Sequence, residues 1–136
     1  MADEVLLDTN VILRFMLGDD ETRHEQAKRL FHQAIDGEVR LLLPTLVLAQ
    51  VVWTLESFYQ ASRRYITNVL DALLATPGVI SLEPRVIRRC VEIYSAYNVE
   101  IVDAYLVALA EETKNLAVAT FDRRHFRRFP HLKLVP

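Results

Sequence analysis

Three aspartates stand where a carboxylate can do chemistry. Asp8 directly follows the apolar run Val5-Leu6-Leu7, and Asp122 comes two residues after a second run, Leu116 to Thr120. Asp103 opens a helical pattern, Val102 to Lys114, just after the irregular Asn98-Val99-Glu100. In open α/β sheets, ligands bind beyond the carboxyl ends of the strands, so these acids occupy ligand-facing places or the helix start beside them. Carboxylates brought together repel unless a cation neutralises them, and an all-oxygen set favours Mg²⁺ or Mn²⁺. Each acid also has a plainer role. Asp8 and Asp122 would serve as turn or N-cap residues that accept from free backbone N–H groups, and Asp103 in a first helical turn is favoured by the helix dipole. Convergence of the three on one sheet edge is the expectation that separates the two readings.

Other chemistries fit less well. His24, His32, His125 and His131 contain no i, i+4 pair, which argues against a histidine-based zinc site. With Gly18, Gly37 and Gly78 as the only glycines, no glycine-rich phosphate loop can form. A phosphoaspartyl phosphatase wants a second acid two positions after the first, where this chain has Asn10. A receiver domain wants an acidic pair near the first strand and a lysine after the last; Asp19-Asp20 lies well beyond Val5–Leu7, and Leu116–Thr120 leads to Asp122. The single cysteine, Cys90, excludes an internal disulfide and falls in an apolar helical stripe, as a small core residue would.

The elements that carry these residues can be read from periodicity. Val5–Leu7 is a candidate buried strand and Val11–Leu17 a short helix. A longer helix begins near Asp20, with Ala27, Leu30, Phe31, Ala34 and Ile35 on one face, and is closed by Gly37. Val39–Leu43 is a strand stopped by Pro44. Leu46 to about Phe58 is apolar on most sides and predicts a buried helix; Tyr65 to Leu74 forms another, ended before Pro77-Gly78. Val79–Leu82 is a third strand, followed by a helix with its stripe from Val86 to Tyr97. The helix Val102–Lys114 ends at Asn115, Leu116–Thr120 is a strand, and Leu132–Val135 adds a last one. Short apolar strands separated by helices are the pattern of an α/β sandwich with a mainly parallel central sheet.

At 136 residues, 51% hydrophobic and 25% charged, the chain suits one domain, residues 1–136, with a core that buries about two-thirds of its surface. No apolar run reaches the ~20 residues of a membrane span, and the acidic start, Asp3 and Glu4, is unlike a signal peptide; the expectation is a soluble, cytoplasmic protein. The net charge of −2 conceals an asymmetry: residues 1–60 carry −5 and residues 61–136 carry +3. Arg63 and Arg64, then Arg85, Arg88 and Arg89, and the tail from Arg123 to Lys133 hold the basic charge. Such a patch beside acids suits an enzyme acting on a polyanion, although solvated surface charge gives the same pattern.

The segments "LLDTNVILRFML", "IVDAYLVALA" and "LAVATFDRRHF", in that order over essentially the whole chain, resemble the PIN-domain ribonucleases, and the VapC toxins of toxin–antitoxin pairs in particular. The resemblance implies a Rossmann-like α/β/α fold and a Mg²⁺- or Mn²⁺-dependent endonuclease that hydrolyses RNA phosphodiester bonds. It further implies a homodimer inhibited by a cognate VapB-like antitoxin, and the apolar surface that receives a partner helix would be sought among this chain's helices at Val11–Leu17 and Leu46–Leu74. Asp8, Asp103 and Asp122 match the metal-binding aspartates, and Asn10 and Thr120 match small polar residues that orient ligands or water beside them. One position departs: the family's glutamate on the buried helix, in a context like "LAEVVWTL", is Gln50 here, in "LAQVVWTL". Glutamine keeps the length and an acceptor but loses the charge, so catalysis would be reduced; the alternative is a catalytically impaired domain that binds antitoxin or RNA. On residue type alone, Gln50 would also serve as a core polar residue sharing a stripe with Thr54 and Ser57. Arg123, Arg124, Arg127 and Arg128, next to Asp122, are candidates to hold the RNA backbone.

Overall fold

The computed structural model describes residues 2–114 and 116–136, and the chain divides into two compact units, one ending at Glu83 and the other beginning at Pro84. Asn115, the expected helix end, lies outside the described residues.

In the first unit, strand β1 (Asp3–Leu6) leads to helices α1 (Thr9–Leu17) and α2 (Glu21–Ile35), strand β2 (Val39–Leu43), helices α3 (Thr45–Ser57) and α4 (Arg63–Ala75), and strand β3 (Val79–Ser81). The strands form a parallel sheet in the order β1-β2-β3, with Val5 opposite Leu41 and Leu42 opposite Ile80. Parallel strands need long crossovers, and the helix pairs α1/α2 and α3/α4 provide them. The sequence sets the ends of α2 on both sides. The Asp20 carboxylate accepts from Arg23 N at 3.0 Å as the N-cap. At the other end Gly37 takes φ 81°, with Gly37 N donating to Ala34 O and Glu38 N to Gln33 O, the paired bonds of a Schellman closure. Phe15 stacks on Phe31 at 4.2 Å between ring centres, joining α1 to α2. Leu41, Leu43, Leu48, Val51, Val52, Leu55, Ile66, Leu70 and Leu73 are buried, the apolar positions that the periodicity picks out.

The second unit contains α5 (Pro84–Ala96), α6 (Ile101–Glu112), β4 (Ala117–Ala119), α7 (Arg123–Phe126) and β5 (Lys133–Val135). β4 and β5 pair in parallel, Val118 opposite Leu134. On α5 the stripe Val86, Ile87, Cys90, Val91, Ile93 and Tyr94 is buried, and burial pushes the Cys90 thiol up to about 12, so it is a core residue rather than a nucleophile. On α6 the small side chains of Ala104, Ala108 and Ala110 are buried, with Val107. Arg89 holds Glu111 through Nε at 2.7 Å and Arg85 holds Glu112 at 3.2 Å. These pairs join the start of α5 to the end of α6, so the two helices run antiparallel.

Two expectations need correction. The run Val5–Leu7 is buried only in part: Leu7 is buried and Val5 half-buried, but Leu6 is 67% exposed, because successive side chains of a strand point to opposite faces. The segment after Asp122, read only as a basic tail, makes a helical turn, α7. No helix among the described residues is long and apolar enough to cross a membrane.

Gly78 has φ 87°, and a Cβ there would press on the Ala34 carbonyl. Gly78→Ala is therefore expected to lower the unfolding free energy by about 2 kcal/mol, read by urea denaturation. The Arg89 guanidinium hydrogen-bonded to Glu111, with His131 beside it, holds the Glu111 carboxyl below its ordinary 4.5. A depressed folded-state value contributes stability above 4.5 that is lost as the pH falls through the folded value. Glu111→Gln should be less stable than the parent at pH 7, and the gap should close on acidification below 4.5; melting curves at a series of pH values test this.

Candidate active site

The first unit places Asp8 at the carboxyl end of β1, where the chain turns into α1. Its Oδ1 accepts from Thr9 N at 2.8 Å, so it caps α1. The carboxylate stays exposed while Thr9 is buried, at 5%. The Thr9 hydroxyl donates to Gln50 Oε1 at 2.7 Å, which links position 50 on α3 to the residue beside Asp8. Gln50 is itself exposed, so it is not the core polar residue that a shared stripe with Thr54 and Ser57 would make it. Asn10, in the first turn of α1, is exposed and borders a cleft of about 350 Å³ that Arg14, Arg23 and Gln26 also line. On the rim, Arg14 pairs with Asp19 at 2.7 Å, and Tyr59 donates to the other Asp19 oxygen.

The second unit places Asp103 and Asp122 around one imidazole. His125 Nδ1 lies 2.7 Å from Asp122 Oδ2 and 3.8 Å from Asp103 Oδ2. A carboxylate can only accept, so the proton of that contact sits on Nδ1. Neither acid serves as a cap: Asp122 stands at the N-cap position of α7 without a side-chain cap bond, and Glu100, not Asp103, precedes α6. The turn that presents Asp122 is pinned by Thr120, whose hydroxyl accepts from Asp122 N at 2.9 Å and whose own N donates to Val135 O at 2.9 Å. The Asp103 side chain is 22% exposed. Burial raises its carboxyl above the usual carboxylate range, the charges of Glu100 and Asp122 push the same way, and His125 opposes them.

The four candidate arginines are exposed. Arg123 donates to the Pro136 carbonyl and Arg128 to Asn98 O at 3.4 Å, so these two are partly committed to the second unit's own backbone. Sequence reasoning missed Thr9 and His125. Thr9 carried no signal, because its partner lies on another helix. His125 stands three residues after Asp122, the spacing of one helical turn, and would have been noticed had the tail been read as helical. Among the described residues no group of three or more His, Cys, Asp or Glu side chains is placed to hold a metal ion.

Parallel strands alternating with helices, and acids at the carboxyl ends of β1 and β4, define a Rossmann-like α/β protein. The family model described as the PIN domain matches residues 5–132, and the chain belongs to that family. A VapC ribonuclease of Aquifex aeolicus (strain VF5) is 28% identical to it over 120 residues, covering 88% of this chain and 87% of that protein.

Gln50→Glu keeps an acceptor for the Thr9 hydroxyl on an exposed side chain, so its stability should stay within about 0.5 kcal/mol of the parent. Gln50→Leu strands a buried donor and should cost about 1 kcal/mol. Urea unfolding of the two variants side by side measures the difference.

Proposed function

We propose that this chain is a VapC-type ribonuclease, a Mg²⁺- or Mn²⁺-dependent endonuclease that hydrolyses RNA phosphodiester bonds and is inhibited by a cognate VapB-like antitoxin. In this reading residues 1–136 act as a single PIN domain, as a cytoplasmic homodimer. The observation that carries it is in the second unit. Asp103 and Asp122 lie around one imidazole, and the Asp103 carboxyl is raised by burial and by neighbouring negative charge. Carboxylate oxygens are the donor type that a hard divalent cation takes, and Asp103 and Asp122 offer two such groups, with His125 partly balancing their charge.

Asp103 and Asp122 of the second unit, and Asp8 of the first, are the aspartates that the family resemblance makes metal-binding candidates. When bound, the ion supplies positive charge against the scissile phosphate and makes water a stronger acid. The chain's own groups do the rest. His125 keeps a proton on Nδ1 against Asp122 and so orients that carboxylate. Thr120 fixes the turn on which Asp122 is carried, and Asn10 offers an amide beside Asp8. Arg123, Arg124, Arg127 and Arg128 attract the RNA backbone, all four at exposed positions. Gln50, joined through Thr9 to the residue next to Asp8, can hydrogen-bond water but can neither take a proton nor balance a cation. That neutral amide favours a second reading, a catalytically impaired PIN domain that binds antitoxin or RNA.

Cleavage of a panel of structured and single-stranded RNAs in Mg²⁺, Mn²⁺ or EDTA separates the two. The ribonuclease reading expects metal-dependent cleavage that Asp8→Ala abolishes and that Gln50→Glu raises by about 10–100-fold. Silence from both the parent chain and Gln50→Glu, with RNA or antitoxin still bound, would establish the binding module. Arg124→Ala with Arg127→Ala should weaken RNA binding most at low salt and flatten the slope of log affinity against log salt by about 1.4. Unchanged salt dependence would remove these arginines from the RNA path.

A further inference from the structure

Phe121 is 95% exposed, more than any other large hydrophobic side chain among the described residues. It sits between Thr120 and Asp122, at the tip of the turn from β4 into α7. The backbone on either side of it is held: Thr120 N donates to Val135 O, and Asp122 N donates to the Thr120 hydroxyl. The ring is therefore presented to solvent from a fixed turn rather than from a loose loop, and its presentation costs little ordering when something covers it.

Its chain neighbours indicate what covers it. Thr120, Asp122, Arg123 and Arg124 flank it, and Arg127 and Arg128 follow. A protein docking face is a contiguous apolar patch, whereas the chain on both sides of this ring is polar and cationic, with Val135 on the paired strand an exposed apolar side chain nearby. An exposed ring in a chain stretch that also carries four exposed arginines matches an unpaired nucleobase, which stacks on the ring while its phosphates meet the arginines. Duplex RNA does not match, because its bases are already stacked on one another.

We propose that Phe121 is a base-stacking platform that holds one unpaired nucleotide of single-stranded RNA next to Asp122 and so selects single-stranded over duplex substrate. The inference deepens the ribonuclease reading and rests on it for the identity of the polymer. The ring takes no part in bond breaking; it positions the strand.

Binding of a labelled 12-nucleotide single-stranded RNA, and of the same strand in a duplex, is measured in EDTA for the full chain and for Phe121→Ala, Phe121→Leu and Phe121→Trp. An exposed ring makes no demand on folding, so all three variants should fold. Base–aromatic stacking predicts about 5- to 100-fold weaker binding of the single strand for the alanine and leucine variants and near-parental binding for tryptophan. The new indole should be quenched by the single strand and not by the duplex, against the parent chain's Trp53 signal as background. In cleavage assays the KM of Phe121→Ala should rise far more than its kcat falls. Equal binding by Phe121→Ala, full rescue by leucine, or loss of self-association with RNA binding intact would each overturn the stacking assignment. If the parent chain cleaves RNA while Phe121→Ala binds equally well, the platform fails and the ribonuclease stands. If the parent neither binds nor cleaves, both fall; if it binds without cleaving and the alanine variant binds weakly, the platform stands on a binding module.

Discussion

Parallel pairing of short strands is the constraint on which the rest of this structure depends. A parallel ladder sends every strand of a sheet out at the same edge, and the chain must return through a helical crossover before the next strand begins. In the first unit this puts the exits of β1, β2 and β3 on one edge, and Asp8 is the residue at the first exit. In the second unit, pairing of β4 with β5 supplies the Val135 carbonyl that receives Thr120 N. That bond sets the turn carrying Phe121 and Asp122. The candidate residues Asp8 and Asp122 are thus placed by strand pairing together with the bonds of their neighbours, Thr120 among them.

The two units treat their acids differently. Around Asp8 the local polar groups are satisfied: the carboxylate caps a helix, and the buried Thr9 hydroxyl finds the Gln50 amide oxygen. Glutamine at that position keeps the hydrogen bond that glutamate would also accept, so its loss of charge bears on chemistry far more than on folding. Around Asp103 the balance is incomplete. One imidazole proton serves Asp122, Glu100 adds charge, and burial denies Asp103 the water that would otherwise solvate it.

Most elements were legible from periodicity and punctuation. β2 matches its expected span, and α2 and α5 begin and end within a residue or two of it, because a capping aspartate, Gly37 and Pro84 act through local geometry. The aspartates were legible as well, since their positions after apolar runs are a property of the chain order. The exposure of Leu6 was not, because an apolar residue does not record whether anything covers its face of the sheet. α7 escaped notice because four residues are too few to show a period. The Thr9–Gln50 bond and the shared imidazole of Asp103 and Asp122 also escaped, joining positions far apart in sequence.

Taken by itself, then, the sequence determined the alternation of helix and strand and the candidate acids, while Gln50 at an acid's position is what the family resemblance implies. The first two depend on residue type and on spacing within one element. Tertiary structure alone decided which hydroxyl Gln50 receives, which histidine stands between Asp103 and Asp122, and that Phe121 stays in solvent while Phe126 and Phe129 are buried. These depend on which distant segments meet, and contact between segments is set by how the helices and strands pack rather than by any local pattern.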